Sequence, residues 1–480
     1  MLDPADRQTQ PEPFTREALA RLPLAKSVLL LWSHVLQPSR LAEIFQQHRG
    51  RSFEDLLSFP TFVELIADAL IQHRGSARQS LLHAQTREHL PTTPRAVYGK
   101  LARIPTSLSL GFLEETTAAM EALWPSGVKA ADLPASLDGI TVVHLDGKKI
   151  KRAAKRLKPL RGTPGKVFGG KLLAAHLPAS GLVVATAADL DGEANDIKLV
   201  PEALERARAK IAGPRLWVAD RQFCDLDQPR RFSEQGDHFL IRFCRKMGFH
   251  PDPERSSVTS RDRRGLVVVD EWGWIGAASE DRRRWVRRIT LQRPDAEDVI
   301  LITDLVDAAS IAATDLLEVY LGRWGIERVF QQITEVFALE RLIGATPQAT
   351  IFQAMFCFVL YNLIQVVRAY IAATRAEPTP VESLSTEQIF ADTRAELTAL
   401  NKVVSPAQVA VGIPMSLTET EVANRLRELL SGLWSPLWIK AANKKPRPAK
   451  TKAKSGGAHT SVHRVLQAHQ KQSMPSTKSS

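Results

Sequence analysis

The sequence predicts an α/β protein built on a mixed sheet, with a second strand-rich stretch, helical regions before and after, and a basic tail. Three observations carry this. Apolar residues recur at helical spacing through residues 14–125, as in Val28, Leu29, Leu31, Trp32, Val35 and Leu36. Short apolar runs divided by Gly and Pro follow from Leu133 onward. Helical spacing then returns at Ala312 and continues to about Trp438, with a break at Glu377-Pro378-Thr379-Pro380.

A chain of 480 residues is long enough for several domains and a sizeable core. Its 44% hydrophobic and 24% charged residues are ordinary globular values, which exclude a disordered chain, a collagen-like repeat or a membrane bundle. The net charge of +12 is concentrated: residues 440–480 hold ten Lys and Arg and no acid, leaving 54 basic against 52 acidic residues elsewhere. Cys224, Cys244 and Cys357 are too few and too scattered for a disulfide framework or a Cys-x-x-Cys zinc site, which fits a reducing compartment. The polar start MLDPADRQTQPEP does not read as a secretory signal.

Within the helical N-terminal region, Thr92-Thr93-Pro94-Arg95 reads as a capped helix start, followed by Lys100 and Arg103. A DNA-reading helix-turn-helix and a plain amphipathic helix both fit there. Strands are predicted at Ile140–Leu145, Val167–Leu177, Leu182–Ala187 and Leu216–Ala219, with a helix at Leu199–Ile211 before the last of them. FLIRF, GLVVVDEWGWIG, RRWVRRITL and VILIT add strands from Phe239 to Asp304. The apolar run Ile351–Val367 is interrupted by Gln353, Asn362 and Gln365; it reads as a buried helix, because a membrane span needs ~20 nearly unbroken apolar residues. The last forty residues lack apolar periodicity and are expected to be disordered, either solubilising the chain or binding phosphates nonspecifically.

Two buried-type strands deliver carboxylates. Ile140–Leu145 leads to Asp146, which we expect to enter a turn at Gly147 before Lys148, Lys149, Lys151 and Arg152; Leu216–Ala219 leads to Asp220. Neighbouring strands ending in acids can share a divalent metal, although a lone Asp at a strand end is more often a turn residue. Asp138 and Asp191, in Leu-Asp-Gly triplets, are the decoys: one precedes its strand and the other lies in a polar loop. On a helix turning about 100° per residue, Tyr320, Arg323 and Glu327 fall within about 60° of each other, beside an apolar face of Ile326, Val329, Phe330 and Ile333. Standing alone, Arg323 and Glu327 would read as a surface i, i+4 pair.

Together these blocks resemble the DDE transposases of bacterial insertion sequences, specifically the insertion-sequence-four family with its RNase H-like catalytic core. The family's Tyr-x2-Arg-x3-Glu-x6-Lys helix motif is matched by Tyr320, Arg323 and Glu327, whereas Thr334 stands where the family has Lys. The likeness runs over roughly residues 137–370, through Phe337-Ala-Leu-Glu340-Arg-Leu and Phe356 to Asn362, and back to Ala219-Asp220-Arg221-Gln-Phe223 and Leu145-Asp146-Gly147.

The resemblance implies that Asp146, Asp220 and Glu327 are catalytic and hold Mg²⁺, with Mn²⁺ able to substitute and two ions expected. It implies that Tyr320 and Arg323 hold a DNA phosphate, and the basic run suggests that Lys148, Lys149, Lys151 and Arg152 neutralise DNA. The expected division is a DNA-binding helical region (1–130), a catalytic domain (131–370, insertion about 245–305), a helical region (371–440) and the tail (441–480). The implied activity is cut-and-paste transposition: binding terminal inverted repeats of double-stranded DNA, cleaving, and joining to a target, as a homodimer in the cytoplasm at the nucleoid, with no membrane role. An inactive DNA-binding regulator is the alternative, disfavoured by three intact acids. A tyrosine recombinase using Tyr320 lacks the Arg/His/Arg set that chemistry needs.

Overall fold

The computed structural model describes residues 11–73, 75–86, 90–151, 155–294, 296–377, 379–414, 416–440 and 459–473. The chain opens with helices α1 (Pro13–Arg21), α2 (Pro23–Val35), α3 (Pro38–His48), α4 (Phe59–Ile71), α5 (Ala77–Thr86), α6 (Pro94–Ala102) and α7 (Thr106–Ala122). Proline in the first turn starts α1 to α4 and α6, where its missing N–H removes no helical bond. Ser58 and Thr93 cap α4 and α6 by accepting backbone N–H bonds from Thr61 and Ala96. Lys100, on the proposed DNA-reading helix α6, turns inward and donates to the Leu57 carbonyl.

The sheet begins with β1 (Thr141–Ile150), β3 (Gly170–Leu177) and β4 (Leu182–Asp189), an antiparallel set, with the short β2 (Val167–Phe168) off its edge. Helix α8 (Val200–Lys210) then crosses to β5 (Arg215–Ala219), and the small helix α9 (Gln228–Phe232) leads to β6 (His238–Arg242). β5 lies parallel to both β1 and β6. The order β4-β3-β1-β5-β6 is the mixed arrangement that the sequence predicts.

The β-rich stretch does not form a sheet of its own. It comprises β7 (Phe249–Pro251), β8 (Val258–Arg261), β9 (Val267–Ile275), β10 (Arg284–Leu291) and β11 (Val299–Thr303). β11 pairs antiparallel with β6, so the order continues β6-β11-β10-β9-β7, with β8 also on β9, into one ten-stranded sheet. Alternation of side chains along β1 and β5 divides the layers. Val143, Leu145, Trp217 and Ala219 pack with Ala203 and Leu204 of α8, while Val142, Leu216 and Val218 face the other way. That second face is covered by Leu316, Leu317 and Tyr320 of α10 (Ala313–Gly322), which is followed directly by α11 (Trp324–Glu335).

Helix α12 (Pro347–Ala373) is long and apolar enough to cross a membrane, yet its apolar window is wholly buried within the protein. Its polar interruptions make internal bonds. Asn362 accepts from the Val183 N–H at 3.0 Å and donates to Val183 O and Thr117 Oγ1 at 2.9 Å each, tying α12 to β4 and α7. Gln353 accepts from the Ile343 N–H at 2.8 Å. Helices α13 (Thr386–Val403), α14 (Pro406–Gly412) and α15 (Glu419–Leu430) pack beside the N-terminal helices, and Val422, Leu426 and Leu430 share one core with α2 and α12.

Part of the expected tail is ordered: β12 (Thr460–Ser461) pairs in parallel with β2, and α16 (Val462–Ser473) follows. Val462 is buried, Val465 and Leu466 pack against the core, and Arg464 meets Asp191 and Glu193 at 2.9 Å each. Residues 441–458 and 474–480 of the tail lie outside the described residues.

Candidate active site

The register of β1 against β5 places two acids side by side. His144 is opposite Val218, and two residues further along the parallel strands come Asp146 and Asp220. Both therefore sit on the face covered by α10 and α11. Asp146 is not at a strand end, because β1 runs on to Ile150, paired with β3 throughout. Its neighbour β5 stops at Ala219, and Asp220 starts a short 3-10 turn whose Arg221 N–H it accepts at 2.7 Å. The gap left by β5 is what opens Asp146.

Gly147 is accordingly not a turn residue. A Cβ there would lie 2.2 Å from Asp196 Oδ1, so glycine is required by close approach. Asp196 in turn meets Lys171 Nζ at 2.7 Å, with both side chains 7% exposed. No local pattern marks either residue: Lys171 is one of many basic residues, and Asp196 meets it only through the fold.

The third acid arrives on a broken helix. Arg323 separates α10 from α11, with Arg323 N bonded to Tyr320 O and Ile326 N to Arg323 O, the tighter i−3 pattern. Gly322 and Gly325 flank it; a Cβ at either would meet His144 Cε1 at 3.9 Å or His176 Cε1 at 4.0 Å. Burial lowers both of these imidazoles, His176 to about 4, so they form a neutral floor. The junction turns Arg323 inward, to 4% side-chain exposure, where Nη1 is 3.5 Å from Asp146 and Nη2 is 3.4 Å from Glu327. The guanidinium thus faces the carboxylates. Glu327 is 41% exposed and opens onto the cleft.

Burial pushes the Asp146 carboxyl up to about 6; Arg323 and the Gly147 N–H pull it down, and Glu327 and Asp220 push it up again. Glu327 and Asp220 are therefore each close enough to Asp146 to oppose its charge. Three carboxylates around one guanidinium leave an excess of negative charge and an all-oxygen donor set, which fits a hard divalent cation.

Asp146 and Glu327, but not Asp220, line a cleft of about 720 Å³ shared with Lys148, Lys149, Lys151 and Lys171. Lys148 donates to the Phe330 carbonyl at 3.1 Å, and burial lowers its ammonium to about 8. Thr334 Oγ1 donates to the same carbonyl at 2.6 Å. Lys149 lies over the Phe168 ring. Arg152 lies outside the described residues. Tyr320 is buried, 3% exposed, beneath Arg323. The decoys are elsewhere: Asp138 follows a short turn before β1, and Asp191 pairs with Arg464.

An acid on a sheet strand, a second just past the end of its parallel neighbour and a glutamate from the covering helix are a set of donors able to hold divalent cations. Comparison with known proteins agrees: residues 138–363 match the family model for the transposase DDE domain. A protein of Sinorhizobium fredii named "Putative transposase y4zB" is 23% identical over 152 residues, covering 31% of this chain and 42% of that protein. The chain thus spans about two fifths of the length of the curated relative it matches. Both findings support a DDE transposase.

Proposed function

We propose that this chain is the cut-and-paste transposase of a bacterial insertion sequence in the insertion-sequence-four family, acting on double-stranded DNA as a homodimer. The observation that carries this reading is that Asp146 on β1 and Asp220, just past the end of the parallel neighbour β5, meet Glu327 from the covering helix. These three residues would hold Mg²⁺, or Mn²⁺ in its place, most simply as two ions. When bound, such ions would activate a water or a DNA 3′-hydroxyl and stabilise the leaving oxygen of an in-line displacement.

The remaining roles belong to the chain's own side chains. Lys149, Lys151 and Arg152 neutralise backbone phosphates, while Tyr320, buried on α10, supports Arg323 from beneath. Arg323, expected from sequence to hold a phosphate, acts first as the fixed counter-charge that keeps Asp146 and Glu327 facing each other. Lys148 sets its ammonium on α11 at the carbonyl shared with Thr334, and so supplies the cation that Thr334 lacks at the motif's Lys position. The test is cleavage of a duplex carrying a terminal inverted repeat in Mg²⁺. Asp146→Ala, Asp220→Ala and Glu327→Ala should each abolish cleavage while DNA binding persists; near wild-type cleavage in any one would remove that residue from the site.

A further inference from the structure

A second group of metal-ligating side chains lies in the helical region, built from different donors. After α4 the chain reverses through Gly75, whose φ of +83° suits glycine and whose hydrogen faces Arg341, where a Cβ would come within 2.9 Å of the Arg341 Cβ. Helix α5 then packs back along α4. The reversal gathers Asp68 from the last turn of α4, His73 just beyond it and His83 from α5, with one ligand atom of each within 4.8 Å of the other two.

The surroundings are those of a prepared site. Ser80, fully buried, donates its hydroxyl to Asp68 Oδ2 at 2.6 Å and so fixes the carboxylate. His73 Nε2 is 3.2 Å from that same oxygen, yet it is shut off from solvent and makes no hydrogen bond of acceptable angle among the described residues. That separation is close to the roughly 3.3 Å between two ligand atoms that each lie about 2.0 Å from one tetrahedral ion. The His83 ring, 5.6 Å from the His73 ring, is exposed and leaves a path from solvent.

We propose that Asp68, His73 and His83 bind a divalent transition metal of the zinc class, with a fourth position open to water. Two imidazoles and one carboxylate are the donors that Zn²⁺ and Co²⁺ accept in tetrahedral sites, whereas Mg²⁺ favours oxygens. The ion would staple α4 to α5. Because Gly75 packs on Arg341, in the loop after α11, the stapled hairpin would also brace the segment that follows Glu327.

The test uses the full chain carrying Asp146→Asn and Glu327→Gln, which disables the acid site, stripped with a chelator and titrated with Co²⁺ in excess Mg²⁺. The expected result is one equivalent of tetrahedral Co²⁺ absorption, displaced by Zn²⁺, with a Zn²⁺-dependent rise in melting temperature. Adding His83→Ala or Asp68→Asn should weaken binding at least about tenfold and remove the rise, while metal-free His83→Ala, altered at an exposed position, melts as its parent does. No absorption in the parent, or the same affinity in His83→Ala, would overturn the proposal. Either result would leave the acid site's assignment standing, because that site is tested by cleavage.

Discussion

Of the buried arginines that face carboxylates in this protein, two make a contrast, Arg287 in the sheet extension and Arg323 beside the acids. Arg287 on β10 is fully buried and donates Nε to both Asp270 oxygens at 2.8 and 3.0 Å, Nη2 to Oδ2 at 2.6 Å, and Nη1 to the Ile311 carbonyl at 2.7 Å. Arg323 is nearly as buried, yet its contacts to Asp146 and Glu327 are 3.5 and 3.4 Å, and its Nε and Nη1 make no hydrogen bond among the described residues. The first arrangement is closed, every group answering another, and it binds β9, β10 and the approach to α10 into one body. The second is open, with more carboxylates than one cation can satisfy. Saturated pairs hold a fold; unsaturated ones at a cleft are the groups left free for a ligand.

The contrast yields graded expectations. Arg287→Ala leaves Asp270 buried without its partner and should cost about 3–5 kcal/mol in denaturant unfolding. The paired change Arg287→Met with Asp270→Leu should recover most of that loss; failure to recover would show that the ion pair itself, and not the closure of the network, stabilises the extension. Arg323→Ala should change melting far less, but lower strand cleavage by about 10²-fold through misplaced carboxylates. Arg323→Lys should rescue little, because an ammonium cannot span both acids as a planar fork does. Unchanged cleavage in both variants would reduce Arg323 to an ordinary ion pair.

A smaller effect is expected from pH. The Asp146 carboxyl is raised in the folded chain from 3.8 to about 6, so the folded state binds this proton more tightly than the unfolded one. Stability of the metal-free protein should therefore fall as pH rises from about 4 to about 6, by at most ~3 kcal/mol at roughly 1.4 kcal/mol per unit. Asp146→Asn should flatten that slope in chelator, and an unchanged slope would place the raised carboxyl elsewhere. The smallest effect concerns the tail: removing residues 441–480, with nine Lys and Arg, should flatten the salt dependence of nonspecific DNA binding without altering which end sequence is preferred. Equal salt slopes would leave the tail no part in DNA binding.

Much of this architecture is legible in the sequence. Apolar runs mark β1, β5, β6, β9, β10 and β11, though not the short β7 and β8, and the i, i+4 spacing of Arg323 and Glu327 is plain. What the runs hide is pairing. Asp146 looks like a strand end because Gly147, Lys148 and Lys149 are not apolar, yet β3 supplies the partners that carry β1 on to Ile150. That the extension joins the main sheet depends on β11 meeting β6, a long-range contact no local pattern encodes. The inward turn of Arg323 belongs to the junction between α10 and α11, where i−3 bonds replace the helical ones, and no residue spacing announces that break. The tail helix escapes notice because Val462, Val465 and Leu466 are too few to signal a helix without the edge of β2 to receive them.

The central claim is that Asp146 is a metal ligand and not merely a buried acid, and a change of ligand atom tests it most directly. Cleavage of a duplex carrying the terminal repeat should be measured for Asp146→Cys in Mg²⁺ and in Mn²⁺, beside the wild type. Mg²⁺ accepts oxygen ligands and disfavours sulfur, whereas Mn²⁺ tolerates the softer donor better. The account requires the variant to be inactive in Mg²⁺ and to recover cleavage in Mn²⁺, with the wild type active in both. Cleavage by Asp146→Cys in Mg²⁺ at the wild-type rate would contradict it.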